Sequence, residues 1–180
     1  MLIRHGRAEA GWDIANDPGL DEVGRTQAIA MADIVAPQGP MSLFSSPLLR
    51  TQQTAEPLAA RWGTAAAIDP AVMEIPSPQG IAMADRVTWL RAAMGGTWEG
   101  LGSPYIEFRD TVVRRIQSVT EQTVFVSHFV AINAVIGACV GDDRMVIASL
   151  DNCSITEIDV AEDGTLTLIH HGHEANTLIR

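Results

Sequence analysis

Residues 124–141, VFVSHFVAINAVIGACVG, determine the fold class of this chain. The apolar run Val124–Val126 is typical of a strand that is covered on both faces. The run Phe129–Val140 predicts a buried helix that ends at Gly141, and this run, interrupted by Asn133, is too short to cross a membrane. A buried strand that leads directly into a buried helix indicates a parallel sheet packed against helices.

A second unit of strand and helix precedes this one. Met41–Phe44 predicts a buried strand, and Ser46 and Pro47 are residue types that begin helices, as the cap and the first helical residue. Gly63 marks the expected end of that helix. The predicted helix carries Leu49, Thr54, Leu58 and Trp62.

The chain begins with a short apolar segment, Met1–Ile3, which predicts the first strand. Asp21 is expected to cap a helix of roughly 15 residues that ends before Gly39-Pro40. The buried stripe of that helix is predicted to hold Ala28, Ile29, Ala32 and Val35.

The later part of the chain predicts two more helices and a hairpin. The helices are Asp85–Met94 and Pro104–Gln122, and they follow a proline-containing loop at Ile75–Gly80. The hairpin joins Ser154–Val160 to Leu166–Ile169. Strands that alternate with helices, followed by a late hairpin, predict an α/β fold: a three-layer sandwich with a mostly parallel central sheet and helices on both faces.

The composition fits one globular domain that covers residues 1–180. The chain of 19.3 kDa is 47% hydrophobic and 19% charged. Its 12 basic and 22 acidic residues give a net charge of −10, which argues against nucleic acid or an anionic membrane as a partner. Cys139 and Cys153 are too few for a disulfide framework, and Arg4 interrupts any apolar leader, so we expect a cytoplasmic protein.

Four basic side chains follow the predicted strands at the points where those strands end. Arg4 and His5 follow the first strand, Arg50 lies in the first turn of the helix after the second, and His128 follows the strand Val124–Val126. Because the carboxyl ends of parallel strands meet at one edge of a sheet, we expect these side chains to share one crevice beside helix N-termini. In an acidic chain, such a cluster indicates a site for an anion such as phosphate.

Five segments resemble, in order, the sequence landmarks of the histidine phosphatase superfamily, which is also called phosphoglycerate-mutase-like. The third segment is the most specific match. The five are LIRHG (residues 2–6), LDEVGRTQA (20–28), SSPLLRTQQTA (45–55), VSH (126–128) and DNCSIT (151–156). The resemblance implies a phosphoglycerate-mutase-like fold and the activity of a phosphatase.

The resemblance also implies roles for individual residues. His5 would be the nucleophile that carries the phosphoryl group as phosphohistidine, and Arg4, Arg50 and His128 would bind the phosphoryl oxygens. Glu74 stands where family members carry the acid that protonates the leaving oxygen and later activates water. Members of the family use no metal ion or other cofactor. The chemistry is consistent, because fixed guanidinium groups suit a phosphoryl group and lower the pKa of a nearby imidazole.

Residues near these motifs leave alternatives open. Glu99, in the segment Trp98–Gly100, is a second candidate for the acid. Arg7 and Trp12 follow the first motif closely enough to form part of the pocket rim. Phe129 stands where a glycine is frequent in the family, and it either packs in the core or narrows the pocket.

A cluster of histidines near the end of the chain, HHGH at residues 170–173, raises the question of a metal site. The residues around it lack a carboxylate or cysteine at a recognised ligand spacing. We therefore predict an exposed strand end there and no metal.

The predicted function is that of a phosphomonoesterase that acts on a small phosphorylated metabolite through phosphohistidine at His5. A phosphatase of protein phosphohistidine is an alternative that the segment Arg7–Ala10 favours. A phosphoglycerate-type mutase is a third interpretation, although 180 residues leave little room for the lid that it needs. A module that binds a phosphorylated ligand without turnover is the fourth.

Overall fold

A computed structural model of the chain describes residues 1–11 and 13–172. The strands are β1 (Leu2–Arg4), β2 (Ser42–Ser45), β3 (Ala67–Ile68), β4 (Thr123–Ser127), β5 (Ile155–Val160) and β6 (Leu166–His170). Within the described ranges they form one sheet in the order β3-β2-β4-β1-β5-β6. The pairs β1–β4, β2–β4 and β2–β3 are parallel, whereas β5 runs antiparallel to both β1 and β6.

Helices cover both faces of this sheet. They are α1 (Glu22–Val35), α2 (Leu49–Trp62), α3 (Arg86–Met94), α4 (Trp98–Leu101), α5 (Ser103–Gln117) and α6 (Phe129–Val140). Successive side chains of a strand point to opposite faces. Ile3 and Val124 therefore pack with α1 and α2, whereas Leu2 and Phe125 pack with α5 and α6. The predicted three-layer α/β sandwich is confirmed.

The α1 helix begins as the sequence predicts. Asp21 Oδ1 accepts a hydrogen bond from the Gly24 N–H at 2.7 Å and so caps the first turn. The predicted buried stripe is wrong at Ile29, whose side chain is 50% exposed. Met31 takes its place, because the buried face repeats at i, i+3, i+4 and i+7 from Ala28.

The α2 helix begins two residues later than predicted. Leu48 is the cap residue, and Ser46 lies with its hydroxyl 2.7 Å from a ring nitrogen of His128. The predicted end at Gly63 is confirmed, and its φ of 64° is the left-handed value that glycine adopts without strain. Leu49 is exposed, because the buried face follows residues 50, 54 and 58 at a spacing of four.

The later elements follow the predictions closely. The predicted range of α6 is confirmed, and β5 and β6 form the expected hairpin. The α5 helix ends at Gln117 rather than Gln122, because residues 118–122 turn the chain into β4. None of the helices in the described ranges has the length and apolar character that a membrane span requires.

Candidate active site

Three neighbouring strands end side by side at the candidate site. The end of β1 carries Arg4 and His5, and the His5 N–H donates to the carbonyl of Ser127, the last residue of β4, at 3.0 Å. On the other side of β4, β2 leads into α2, which carries Arg50. Since His128 follows β4 directly, the strand order brings the three sequence segments to one edge of the sheet.

The Arg50 guanidinium lies between two imidazole rings. Its Nε donates to His5 Nε2 at 3.2 Å, and its Nη2 lies 3.2 Å from His128 Nδ1. The ring centroids of the two histidines are 5.2 Å apart. All three side chains are buried. The structure therefore brings Arg50 together with residues that lie 45 and 78 positions away in the sequence.

The hydrogen bonds of His5 identify its reactive nitrogen. Nδ1 lies 2.7 Å from the Gly6 carbonyl oxygen, which can only accept, so Nδ1 carries the proton. Nε2 is then unprotonated, in agreement with the Arg50 N–H directed at it. Burial lowers the pKa of His5 well below its usual value, and the charges of Arg50 and Arg4 lower it further. His5 therefore offers the lone pair of Nε2 to an electrophile.

Hydrogen bonds hold His128 in the opposite tautomer. Because Arg50 can only donate, Nδ1 accepts from it, and Nε2 carries the proton that is donated to Ser46 Oγ at 2.7 Å. Burial lowers the pKa of His128 well below its usual value, and so do the charges of Arg50, His5 and Arg4. The sequence reasoning treated Ser46 only as a helix cap, because no local pattern links residues 82 positions apart.

Arg4 is fixed from both sides by the segment that follows α6. Its Nη1 donates to the Leu150 carbonyl at 2.7 Å, and its own carbonyl accepts the Cys153 N–H at 3.0 Å. The guanidinium carbon lies 5.2 Å from the centroid of the Phe129 ring, a cation–π distance. Phe129 is buried, so it packs against a site arginine as well as in the core.

Asn152 is a residue that the sequence reasoning missed. Its side-chain amide donates to the His5 carbonyl at 2.9 Å. The neighbouring Cys153 has a φ of 57°, which turns its backbone toward Arg4. The motif at residues 151–156 identified this segment, but its resemblance to a strand entry did not indicate a contact with His5.

Glu74 is half-buried beside the same arginines. Its Oε1 accepts a hydrogen bond from the Ile75 N–H at 3.0 Å. Burial raises the pKa of Glu74, and this effect outweighs the lowering by Arg50 and Arg4. A carboxyl group whose pKa is raised next to these guanidiniums fits the role of a general acid.

The alternative acid, Glu99, lies on α4 in different surroundings. Its side chain is exposed, and its backbone N–H donates to Asp143 Oδ2 at 3.0 Å. The Trp98 N–H donates to the Asp143 carbonyl at 3.0 Å, so α4 is anchored to the turn after α6. The charge of Glu74, in contrast, acts on both Arg4 and Arg50.

The other residues singled out from the sequence have varied surroundings. Arg7 is exposed and forms an ion pair of 2.5 Å with the residue that caps α1. Trp12 and His173 lie outside the described residues. The rings of His170 and His171 stack with centroids 6.1 Å apart. In residues 1–11 and 13–172, no group of three or more His, Cys, Asp or Glu is placed to hold a metal ion.

Comparisons with known proteins identify the family to which the chain belongs. The model of the histidine phosphatase superfamily (branch 1) matches residues 1–171. A probable phosphoglycerate mutase of Yersinia pestis is 28% identical over 186 residues, which cover 89% of this chain and 84% of that protein. A mycobacterial glucosyl-3-phosphoglycerate phosphatase, solved with inorganic phosphate, has a TM-score of 0.74 at 20% identity and covers 96% of each chain.

A further match is more local. A PE-PGRS family protein of Mycobacterium tuberculosis is 40% identical over 80 residues, which are 41% of this chain and 14% of that much longer protein. The family model, in contrast, extends over nearly all of the sequence and includes every motif described above. The family predicted from these motifs is confirmed: the chain belongs to the histidine phosphatase superfamily (branch 1).

Proposed function

We propose that the protein hydrolyses phosphomonoesters of small metabolites through a phosphohistidine at His5. The observation that carries the proposal is the unprotonated Nε2 of His5, which lies 3.2 Å from a guanidinium N–H of Arg50. A nucleophile beside fixed, forked cations is the arrangement that phosphoryl transfer requires, because the charge of the transition state spreads over three oxygens.

In the first step, His5 Nε2 attacks phosphorus, and the P–N bond forms as the ester P–O bond breaks. Arg4 and Arg50 donate to the nonbridging oxygens. His128 binds an oxygen after it accepts the proton of a monoanionic substrate at Nδ1, which leaves both of its ring nitrogens protonated. The Nε2–H group of His128 remains hydrogen-bonded to Ser46 Oγ, so the ring keeps its orientation during the reaction.

The proton of Glu74 goes to the leaving alkoxide oxygen, a transfer that typically accelerates such reactions by about 10²–10⁴-fold. In the second step, the Glu74 carboxylate removes a proton from water, and the water oxygen attacks the phosphohistidine. The P–N bond breaks, and the inorganic phosphate takes the Nδ1 proton back from His128 as it leaves. His5, His128 and Glu74 are then in their starting protonation states.

The raised pKa of Glu74 supports an alkyl phosphate as the substrate. An alkoxide is a poor leaving group that needs the proton, whereas the nitrogen leaving group of a phosphohistidine in a protein needs it less. Two relatives are named for reactions of phosphoglycerate or of a glucosyl derivative of it, and this supports a small phosphorylated metabolite as the partner.

The proposed steps use protein side chains alone, so they run without a metal ion. We also propose that the protein is cytoplasmic. Both Cys139 and Cys153 are free thiols in the structure, and a reducing compartment keeps such thiols unpaired.

The test is phosphate release from p-nitrophenyl phosphate and from 3-phosphoglycerate in the presence of a chelator, with trapping of an acid-labile phosphoenzyme. We expect release from both substrates, a phosphoenzyme on His5, and neither in the variant His5→Ala. Isomerisation of phosphoglycerate that outpaces phosphate release would identify a mutase instead. Bound phosphate without release at any pH would identify a binding module.

A further inference from the structure

The hydroxyl group of Ser127 connects the nucleophile's strand to the segment that carries Glu74. Ser127 is the last residue of β4 and is fully enclosed. Its Oγ donates to the Val72 carbonyl at 2.8 Å, and its own carbonyl accepts the His5 N–H at 3.0 Å. One residue therefore holds the backbone of the nucleophile with its main chain and the backbone before Glu74 with its side chain.

The segment around Glu74 depends on few anchors. The side chains of Val72 and Ile75, on either side of it, are buried in the core. Upstream, Asp69 caps a 3₁₀ turn at Pro70–Val72 through the Ala71 N–H at 3.0 Å. The Met73 N–H bonds within this turn, to the Pro70 carbonyl at 3.3 Å, whereas the Val72 carbonyl is held from outside the segment, by the Ser127 hydroxyl.

We infer that Ser127 is a positioning residue that sets how far the Glu74 carboxyl reaches toward the leaving oxygen. This inference rests on the proposed function, in which Glu74 supplies the proton. Without the hydroxyl, the Val72 carbonyl is buried and unpaired, so the segment moves to find another partner. Proton transfer needs a donor and an acceptor in hydrogen-bond contact, so a displacement of about 1 Å weakens it sharply.

The loss of activity caused by a displaced Glu74 should depend on the leaving group of the substrate. This dependence distinguishes a positioning role of Ser127 from a general loss of structure. The nitrophenolate of p-nitrophenyl phosphate is a weak base and leaves with little help from an acid. The alkoxide of glycerol 3-phosphate leaves only with the proton. A displaced Glu74 therefore slows the second substrate far more than the first.

The experiment measures kcat/KM of the variant Ser127→Ala on both substrates, because this parameter reports the formation of the phosphoenzyme. We expect a loss of about 10- to 100-fold on glycerol 3-phosphate and of less than about 3-fold on p-nitrophenyl phosphate. Ser127→Thr keeps a hydroxyl and should restore the ratio of the two rates toward that of the wild type. Circular dichroism and the melting temperature confirm that each variant folds.

The matched control is Ser45→Ala, at the end of the adjacent strand. Ser45 is also a buried serine whose hydroxyl donates to a backbone carbonyl, that of Ser46 at 2.9 Å. That bond does not involve the segment around Glu74. We therefore expect Ser45→Ala to change the two rates by the same factor, whatever the size of that factor.

The variant Glu74→Gln distinguishes the two ways in which the idea can fail. If Glu74→Gln is selective for the alkyl substrate and Ser127→Ala slows both substrates equally, the positioning role is overturned and the proposed function stands. If Glu74→Gln is not selective, the acid assigned in the proposed function is wrong, and the inference falls with it. If Ser127 acts through Glu74, adding Ser127→Ala to Glu74→Gln changes the ratio no further.

Discussion

At the scale of single residues, the Arg50 guanidinium holds the side chains of His5 and His128 in different tautomers. It donates to Nε2 of His5 and to Nδ1 of His128, so the two imidazoles must be opposite tautomers. The second nitrogen of His5 donates to the carbonyl of Gly6, and that of His128 donates to Ser46. These tautomers suit the proposed roles of His5 as the nucleophile and of His128 as an oxygen-binding group.

The pH dependence of activity should report the two perturbed groups. In the proposed mechanism, turnover of an alkyl phosphate needs His5 neutral and Glu74 protonated. Because the pKa of His5 is lowered well below 6.5, its protonation limits kcat/KM only in acid. Because the pKa of Glu74 is raised above 4.5, the rate should fall on the alkaline side as Glu74 loses its proton.

The variant Glu74→Gln tests this assignment. We expect it to lower kcat/KM for glycerol 3-phosphate by about 10²-fold or more and to abolish the alkaline decline that Glu74 causes. p-Nitrophenyl phosphate is the control, because its phosphate group ionises in the same pH range while its leaving group needs little acid. A full alkaline decline in the variant would show that another group donates the proton.

At the scale of elements, Asn133 in α6 fastens the loop that holds Arg4. Its amide donates to the Ala148 carbonyl at 3.1 Å, and its Oδ1 accepts the N–H groups of Ile147 and Ala148 at 2.8 and 2.9 Å. The same loop then offers the Leu150 carbonyl to Arg4. A polar residue inside an apolar helix thus links the packing of α6 to the geometry of the site.

Loss of this side chain should be strongly destabilising. We expect Asn133→Ala to lower the free energy of unfolding by about 3–5 kcal/mol, because several buried backbone groups lose their partners. Urea unfolding measures the change. The matched control is Thr156→Val in β5, where the buried Oγ1 has no partner among the described residues, and a change within about 1 kcal/mol is expected. A similar small effect for Asn133→Ala would contradict this account.

At the scale of the whole molecule, the sheet joins distant parts of the chain. The first strand, β1, lies between β4 and β5, and separate apolar layers cover the two faces of the sheet. Neither layer can form without strands from both ends of the sequence. We therefore expect residues 1–180 to unfold as one domain in a single cooperative transition.

The stability of this unit should fall in mild acid. His5 and His128 take up protons in the unfolded chain below pH 6.5, whereas burial and the nearby arginines keep both neutral in the folded chain. The unfolded state then binds more protons, so the free energy of unfolding decreases as the pH drops below 6.5. Melting temperatures between pH 7.5 and 5.5 measure this slope, a range chosen around the ordinary imidazole value of about 6.5.

Two variants distinguish the contribution of the buried histidines to this slope from the contribution of other groups. His5→Gln removes one of the two groups and should flatten the slope. His170→Gln removes a histidine at the exposed end of β6, outside the site, and serves as the control. Equal slopes in all three proteins would show that other groups control the acid sensitivity.

Local patterns predicted much of the fold, and they failed where burial depends on neighbours. Asp21 caps α1, and α6 ends before Gly141, as expected from residues within one turn. Ile29 and Leu49 are apolar but exposed, because the face that a helix buries depends on which layer covers it. Leu58, on the covered face, is buried.

The sequence by itself determined the family, the α/β sandwich, and the identity of the side chains that could gather at the strand ends, such as His5, Arg50 and His128. The tertiary structure decided which ring nitrogen of each histidine faces Arg50, and it brought Glu74 to where its charge acts on Arg4 and Arg50, whereas Glu99 is exposed. Motifs and caps encode contacts within a few residues, whereas these contacts join residues from 45 to 82 positions apart. Such contacts exist only after the order β2-β4-β1 is set by packing two apolar layers on one sheet.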